Sequence, residues 1–298
     1  MYFPPGNYIV QAGQIAATIP GVYFMGSGLG NAVLTVKAGT AGDTISITNT
    51  GSYLSGIGEI GGGVIDGLTI DGTNAGAGSC GIHAGDIESL QFDCWVLNFN
   101  NSGGSGITQG IGVKLDNRHY WTERSEGTIR AYDNWCGVYF GQSNPSGYNS
   151  FARTNLTLFI TSPSTYSDSS SQMGAEACGV IIADGAVVYD ATLQIVGNFG
   201  GQSRAPVSPA TYGAVLYIMD TSNGSGSRMT NSALNIGVES GSDPYVPYSI
   251  YLDASNNSIS NTIGFWDFGP EATEFKACNN SNNLTGHIGP LRNITVAT

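Results

Sequence analysis

Short runs of alternating apolar and polar residues recur along the whole chain and end at Gly, Asn, Asp or Ser. Their apolar positions repeat every second residue, which is typical of a β-strand with one buried face. The small polar residues between the runs favour turns. The pattern therefore predicts many short strands and almost no helix. Such runs begin at Val33 (VLTVKA), Thr44 (TISITN), Val64 (VIDGLTI) and Thr192 (TLQIVGN).

Two half-motifs alternate strictly through the chain. The first has a small residue followed by apolar ones, as in Gly-Val-Lys-Leu-Asp, and the second has the form Thr-Ile-Arg-Ala-Tyr. Because every copy of the pair adds at least two strands, the repeat indicates a solenoid of stacked coils. The first half-motif begins at Gly112, Gly137, Gly179, Gly213 and Ser249, and the second at Thr128, Asn155, Thr192, Ala233 and Thr262.

The spacing between copies varies, and the excess residues lie in turn-rich segments, as expected for loops inserted on one face of a solenoid. We predict an all-β fold, a right-handed single-stranded parallel β-helix that forms one domain. Entry coils are predicted over 1–60, central coils with loop insertions over 61–270, and a C-terminal coil or cap over 271–298. A β-sandwich or a propeller is the competing prediction, but it needs more Asn-Gly or Asp-Gly hairpin turns between runs.

Composition narrows the possible partners. Gly accounts for 44 of the 298 residues, which fits a fold with many tight turns. The net charge of -12 argues against nucleic acid and against docking on an anionic membrane, since both select basic surfaces. No apolar stretch is long enough for a transmembrane helix, so no membrane insertion is expected. Neutral sugars remain open as partners.

The five cysteines are widely scattered and form no C-x-x-C pair. An odd, scattered set is a poor disulfide framework, and no zinc-ligand spacing is present. We therefore expect no metal and no cofactor, with the cysteines buried and reduced as small apolar residues, as in a chain that folds in a bacterial cytoplasm.

The segment Phe3-Pro-Pro-Gly-Asn-Tyr-Ile-Val resembles the entry motif of the pectate-lyase-like β-helix superfamily, which is common in bacteriophage tailspike and tail-fibre proteins. The run Gly21-Val-Tyr-Phe-Met-Gly-Ser-Gly is similar to the next strand and glycine turn of that family. The stretch Val64-Ile-Asp-Gly-Leu-Thr-Ile-Asp-Gly looks like its first full coil. The resemblance covers nearly the whole chain and implies the same β-helix.

A narrower resemblance concerns Leu115-Asp-Asn followed by Trp121-Thr-Glu-Arg. This order is similar to an element of phage minor tail proteins, and it points to a tail component rather than a pectinase. Family members usually carry an N-terminal helix and a Gly-Asp-Gly-x-x-Asp-Asp segment before the Pro-Pro-Gly strand. Neither is present here, so the resemblance implies a shortened chain whose attachment to other tail proteins uses a missing N-terminal part.

The catalytic motifs of the superfamily's pectin enzymes are missing from this sequence. It lacks the Asn-Thr-Asp, Asp-Asp, Gly-His-Gly and Arg-Ile-Lys elements of polygalacturonases and the arginine motifs of pectate lyases. Glycosidases use two carboxylates, which a β-helix draws from different coils, so sequence spacing does not identify them. As weak catalytic candidates we name Asp116, Glu123 and Glu126.

Aromatic and charged side chains cluster around residue 120, between the copy of the first half-motif at Gly112 and the copy of the second half-motif at Thr128. They suit a glycan, because aromatic rings cover apolar sugar faces and charged groups bond hydroxyls. The competing interpretation is a structural turn, with Trp121 closing the core and Glu123 and Arg124 bonded to separate partners. A second cluster has the rigid Tyr-Pro composition of recognition loops, although such a loop also packs on a solenoid flank. The glycan-binding candidates are His119, Tyr120, Trp121, Arg124, Tyr245 and Tyr248.

A third group is the acidic stretch of Asp71, Asp86, Glu88 and Asp93. It fits no calcium loop, and turn capping is the simpler interpretation.

The leading functional prediction is a phage tail protein of the virion that binds a host cell-surface polysaccharide without cleaving it. The alternatives are a tailspike depolymerase, acting as a hydrolase or lyase, and a secreted bacterial β-helix carbohydrate-active protein or adhesin. The resemblance also implies a homotrimer. The outward residues Tyr217, Tyr251, Phe265 and Trp266 are the candidates for its apolar flank.

Overall fold

Three parallel β-sheets make up the computed structural model of this protein. In the part of the chain that the structure describes, every pair of neighbouring strands runs in the same direction. The structure describes residues 1–19, 21–48, 60–100, 110–143, 150–161, 178–183, 185–198, 214–218, 228–239, 248–253, 259–260, 263–268 and 275–278.

Sheet A has eleven strands. Nine follow the order β1-β4-β7-β9-β11-β14-β17-β20-β23, while β2 pairs with β5 and β5 pairs with β7. The strands are β1 (Tyr2–Phe3), β2 (Gly6–Val10), β4 (Val22–Gly26), β5 (Ala32–Val36), β7 (Ile60–Asp71), β9 (Ile87–Leu97), β11 (Glu126–Tyr132), β14 (Asn155–Thr161), β17 (Thr192–Asn198), β20 (Ala233–Glu239) and β23 (Ile263–Phe268).

Sheets B and C take the strands that lie between those of sheet A along the chain. Sheet B has nine strands and sheet C has four. Sheet B holds β3 (Ile15–Ala17), β6 (Asp43–Thr48), β8 (Ser79–Gly85), β10 (Gly110–Asn117), β12 (Cys136–Gln142), β15 (Cys178–Ile182), β18 (Ala214–Ile218), β21 (Tyr248–Asp253) and β24 (Phe275–Cys278), and sheet C holds β13 (Ser150–Ala152), β16 (Val187–Tyr189), β19 (Arg228–Thr230) and β22 (Ile259–Ser260).

The order of strands confirms the all-β, parallel prediction. From β14 onward the chain visits sheets A, B and C in turn, and each strand pairs with the strand of the previous and next visit. None of the residues that the structure describes lies in a helix long and apolar enough to cross a membrane. Sheet C had no counterpart among the sequence motifs, because its strands have two or three residues, too few for a visible alternation.

Inward-facing side chains form ladders that run across the strands and make the core. In β14, Leu156, Leu158 and Ile160 are buried while the residues between them face outward. The register places Leu158 beside Ile129 on one side and Ile195 on the other. Removing these aliphatic groups from water stabilises the stack by about 25 cal/mol for each Å² of apolar surface. The described cysteines Cys80, Cys94 and Cys136 are buried, as predicted.

The strand register corrects part of the predicted repeat. Gly112 and Gly137 occupy equivalent positions in β10 and β12 as expected, since Val113 pairs with Val138. The fourth copy is displaced, because Val180 pairs with Leu216, so Val215 rather than Gly213 matches Gly179. A shift of two residues keeps every side chain on the same face, so the apolar pattern does not reveal it.

Candidate functional site

The corner between β10 and β11 is organised around the buried carboxylate of Asp86. The backbone N–H groups of Arg118, His119 and Tyr120 donate hydrogen bonds of 2.8–3.0 Å to its Oδ atoms. Asp86 itself has φ 57°, in the left-handed region that Asp tolerates better than most residues. Burial raises the pKa of this carboxyl even though these three backbone hydrogen bonds lower it. Asp86 therefore caps this corner, in line with the turn-capping interpretation.

Thr122, and not Trp121, is the residue that enters the core at this corner. Thr122 is fully buried, and its Oγ1 accepts a hydrogen bond from the Asp86 N–H. Its N–H donates to Asn117 Oδ1 at 2.7 Å. Since neighbouring side chains of an extended segment point to opposite sides, Trp121 is turned outward and is 38% exposed. The prediction that Trp121 closes the core was therefore wrong. The nearby buried indole is Trp135, at 2% exposure.

Glu123 and Arg124 have separate partners. The backbone of Glu123 is hydrogen-bonded to Ile87 and Ser89, so the corner is tied to the start of β9. Arg124 lies in the left-handed region at φ 53°, and its guanidinium forms an ion pair with Glu88. Burial raises the pKa of Glu123, and the positive charge of Arg153 lowers it. These contacts hold the corner together, while His119, Trp121 and Arg124 face solvent.

Asp116 is buried and belongs to a polar cluster on sheet B, which we call the clamp. The clamp consists of Asp43, His83, Lys114, Asp116 and Ser143. His83 Nδ1 lies 2.7 Å from Asp43 Oδ2, and Nε2 lies 3.3 Å from Asp116 Oδ2. Lys114 Nζ lies 3.1 Å from the same oxygen, and Ser143 Oγ donates to it at 2.6 Å. These residues tie β6, β8, β10 and the end of β12 together across three strand pairs.

Protonation of His83 follows from its partners. Carboxylates only accept hydrogen bonds, so an imidazole between two of them donates from both nitrogens and is positively charged. Burial lowers the pKa of His83, but the hydrogen bonds to Asp116 and Asp43 outweigh it and raise that pKa. For Asp116, burial raises the pKa, while bonds from His83, Lys114 and Ser143 hold it well below its usual range. Asp116 is 1% exposed and its oxygens are fully engaged within the clamp.

A shallow groove on the outward face of sheet A gathers polar side chains from four neighbouring strands. Its volume is about 440 Å³, and the strands that form it are β7, β9, β11 and β14. The register lines up Val64, Gln91, Glu126 and Asn155 across these strands, and places Asp66 beside Asp93. Gln91 Nε2 donates to Glu126 Oε1 at 2.8 Å. The groove therefore offers carboxylate and amide groups at the strand spacing of about 4.8 Å.

The strand period and one glycine explain why the groove forms here. Residues two apart on a strand share a face, so Gln91 and Asp93 both point outward while Phe92 between them is buried. Gly127 makes a close approach at φ 120°, and a side chain there would collide with the backbone oxygen of Phe92. The absence of a side chain at Gly127 thus leaves the groove open between Phe92 and Glu126.

Arg130 binds one of the carboxylates that line the groove. Its Nη1 donates to Asp93 Oδ1 at 2.6 Å. Asp93 therefore forms an ion pair between two strands and does not cap a turn, as had been predicted for it. Asp71, by contrast, does cap a turn through the N–H and hydroxyl of Thr73. Among the described residues, no cation lies within ion-pair distance of Asp66 or Glu126. The groove therefore carries more negative than positive charge.

The structure distributes the predicted site residues over separate places. Of the three carboxylates named from the sequence, Asp116 lies in the clamp on sheet B, Glu123 lies in the corner, and only Glu126 lines the groove. Tyr245 lies outside the described residues, and Tyr248 is the first residue of β21, whose side chain is not described. Asp66, Gln91 and Asn155 were not predicted as site residues from the sequence. These residues could have been found from the sequence by aligning successive strands and looking for polar residues that recur at the same outward position.

No family model and no curated protein sequence matches this chain. Among solved structures, the chain is similar to ORF18 of Geobacillus virus E2, with 13% identity and a TM-score of 0.44 over 96% of this chain and 52% of that one. It is also similar to the A-module of the mannuronan C-5 epimerase AlgE6 of Azotobacter vinelandii, with 15% identity and a TM-score of 0.33 over 98% and 91% of the two chains. Gene product 12 of bacteriophage phi29, in its pre-mature form, has 13% identity and a TM-score of 0.25 over 99% and 52%.

The chain spans about half the length of the Geobacillus virus protein that it matches. The similar structures thus include phage proteins and a carbohydrate-active enzyme, all at low identity. These likenesses assign no function to the groove, which has to be interpreted from its own chemistry.

Proposed function

We propose that this chain is a bacteriophage tail protein that binds a host cell-surface glycan in the groove of sheet A. The observation that carries the proposal is the alignment of Asp66, Gln91, Asp93, Glu126 and Asn155 on the outward face of four neighbouring strands. A ligand site is typically a concave surface with a few convergent polar groups, and this groove has that character.

Sugars fit these side chains better than other ligands do. Carboxylates accept two or more hydrogen bonds each, and amides both donate and accept, which matches the hydroxyl groups of a sugar. The surplus of negative charge in the groove, together with the net charge of -12, disfavours phosphate-rich and uronate-rich polymers. A neutral or amino-bearing glycan is the ligand class that this charge balance favours.

The phage assignment rests on the sequence motifs, namely the Pro-Pro-Gly strand entry at the start of the chain and the Trp121-Thr-Glu-Arg corner. The three parallel sheets support a single-stranded β-helix in which, from β14 onward, the chain contributes one strand to each sheet in turn. We propose that it is right-handed, because nearly all crossovers between parallel strands of one sheet are right-handed. In this proposal the protein folds in the host cytoplasm and acts on the virion as a homotrimer.

Isothermal titration of the full chain with purified envelope polysaccharides of candidate hosts tests the proposal. Gln91→Ala is expected to weaken the binding of a recognised polysaccharide at least tenfold, about 1.4 kcal/mol. Gln14→Ala is the matched control, because Gln14 is an exposed glutamine just before β3 of sheet B. Equal affinity of both variants for the polysaccharide would show that the groove is not the glycan-binding site.

Cleavage of the glycan is a second candidate function, favoured by one observation. Asp66 and Asp93 are register partners on adjacent strands, which lie about 4.8 Å apart. Retaining glycosidases hold their two carboxyl groups about 5–5.5 Å apart. A steady release of reducing ends from a bound polysaccharide, abolished by Asp66→Asn, would replace the binding proposal with a hydrolase. A bound polysaccharide that stays intact would exclude it.

A further inference from the structure

A row of aromatic side chains lies beside the groove on the same outward face of sheet A. We call Trp95, Tyr132 and Phe159 the aromatic row; all three residues are half-buried. The register places Trp95 beside Arg130, and Arg130 beside Phe159. Asp93 and Trp95 are two residues apart on β9, so the row directly adjoins the polar side chains of the groove.

Arg130 joins the row to the groove. Its guanidinium carbon lies 5.8 Å from the centre of the Phe159 ring, within the range of a cation–π contact, while Nη1 binds Asp93. On the other side of Arg130, the rings of Trp95 and Tyr132 lie 6.3 Å apart with an angle of 47° between their planes. Arg130 therefore contacts both Asp93 of the groove and Phe159 of the row, so the aromatic row adjoins the groove.

The combination of an aromatic row and a polar row matches the two chemical sides of a sugar ring. A pyranose presents an apolar face of C–H groups and a rim of hydroxyls, so it is covered by a ring on one side and hydrogen-bonded on the other. Nucleobases also stack on such rings, but nucleic-acid sites place cations beside the stacking residues. Here the cation within the row, Arg130, is neutralised by Asp93.

We infer that the aromatic row is a stacking subsite for sugar rings of the glycan that the groove binds, so the bound chain extends past the groove over Trp95 and Tyr132. This inference rests on the proposed function. Oligosaccharides long enough to reach both surfaces then gain affinity over short ones, and the gain depends on the row.

The test measures binding of chito-oligosaccharides, from the disaccharide to the hexasaccharide, and of an array of purified bacterial envelope oligosaccharides. Tyr132→Ala is expected to lower affinity for the longer members of a recognised series at least tenfold and to leave the shortest binding member within twofold. Tyr189→Ala is the matched control, because Tyr189 is a half-buried tyrosine on β16 of sheet C. Both variants are compared at equal fractions of folded protein.

Trp95 provides a second measurement that does not depend on Tyr132→Ala being stable. Binding to wild-type protein is expected to shift the tryptophan fluorescence, and Trp95→Phe should abolish that shift while a ring remains for stacking. If Gln91→Ala weakens binding and both row variants behave as wild type, the inference is overturned and the proposed function stands. If no oligosaccharide binds the wild-type protein, both are overturned. Preferential binding of single-stranded nucleic acid would also overturn the inference.

Discussion

At the scale of single residues, the clamp on sheet B shows how a buried charged group is kept in a fold with few charges. His83 and Lys114 contribute positive charge, while Asp43 and Asp116 contribute negative charge, so the cluster is balanced. Removing one partner of such a group leaves another charge buried and unpaired, which typically costs about 3–5 kcal/mol. We therefore expect the clamp to affect stability and not the proposed binding of a glycan to sheet A.

Asp116→Ala is expected to reduce the free energy of unfolding by about 3 kcal/mol, because Lys114 and His83 lose their shared acceptor. Chemical denaturation measures the change. Asp190→Asn, at an exposed aspartate in the turn after β16, serves as the control and should have little effect, because Asn also tolerates the left-handed φ of 50° found there. At matched folded fractions, glycan affinity of Asp116→Ala should equal that of the wild type, and a large loss of affinity would contradict the assignment.

The clamp also predicts a dependence of stability on pH. The pKa of His83 is raised in the folded protein from its ordinary 6.5, so its stabilising contribution is complete below pH 6.5 and is lost as pH rises through the folded value. The pKa of Asp116 is lowered, so its contribution is present above its ordinary 3.8 and is lost only in strong acid. The melting temperature should therefore fall as pH rises above 6.5, and His83→Gln should flatten this fall. A wild-type curve without such a fall would contradict the charged imidazole.

Trp121 and Trp135 give a paired prediction, since they differ mainly in burial. Trp135→Ala should destabilise the protein by about 3–5 kcal/mol, as expected for a buried large aromatic side chain. Trp121→Ala should cost at most about 1 kcal/mol, because its ring is turned outward by the inward Thr122. Thermal melting of the two variants compares them directly. A larger loss for Trp121 would mean that the corner is packed differently.

At the scale of strands, the groove depends on the backbone path of β11 at Gly127. Gly127→Ala should lower the melting temperature and glycan affinity together, because φ 120° is strained for any side chain and the Phe92 backbone blocks the added methyl group. Gly237→Ala on β20 of the same sheet is the control, as nothing lies within 4 Å of an added Cβ there. Equal stability of the two variants would show that the strand adapts at Gly127.

Strands in which apolar and polar residues alternate over many positions were predicted from the sequence. Strands too short to show this alternation were not. Leu156, Leu158 and Ile160 mark β14 clearly, whereas β16 has three residues and shows no period. The copy at Gly213 is displaced by two residues without changing the face of any side chain, so only pairing with β15 fixes it. The groove was missed because its residues come from four separated segments, and only the register between strands brings them together.

At the scale of the whole molecule, stacked parallel strands place outward side chains at a regular distance from one strand to the next. This regular spacing suits a polymeric ligand, since each strand in turn presents a side chain at the equivalent position. The same geometry leaves outward faces free for assembly. Of the predicted flank residues, Tyr217 is 3% exposed within the chain and is therefore not free for a neighbour; Tyr251, Phe265 and Trp266 lie in β21 and β23, where side chains are not described.

Sedimentation equilibrium tests the proposed trimer. A homotrimer of a 30.9 kDa chain should sediment with three times that mass at micromolar concentration. The mass should not change for Tyr217→Phe, because this residue is buried within its own chain. A mass equal to that of the monomer would reject the trimer for this chain.

The proposed glycan site is tested most directly by X-ray diffraction from crystals of the full chain soaked with an envelope oligosaccharide that it binds in solution. We expect electron density for sugar rings on the outward face of sheet A, with hydroxyls bonded to Gln91 and Glu126 and the bound glycan continuing over Trp95. Sugar density on sheet B or sheet C, with the sheet A groove empty, would contradict it.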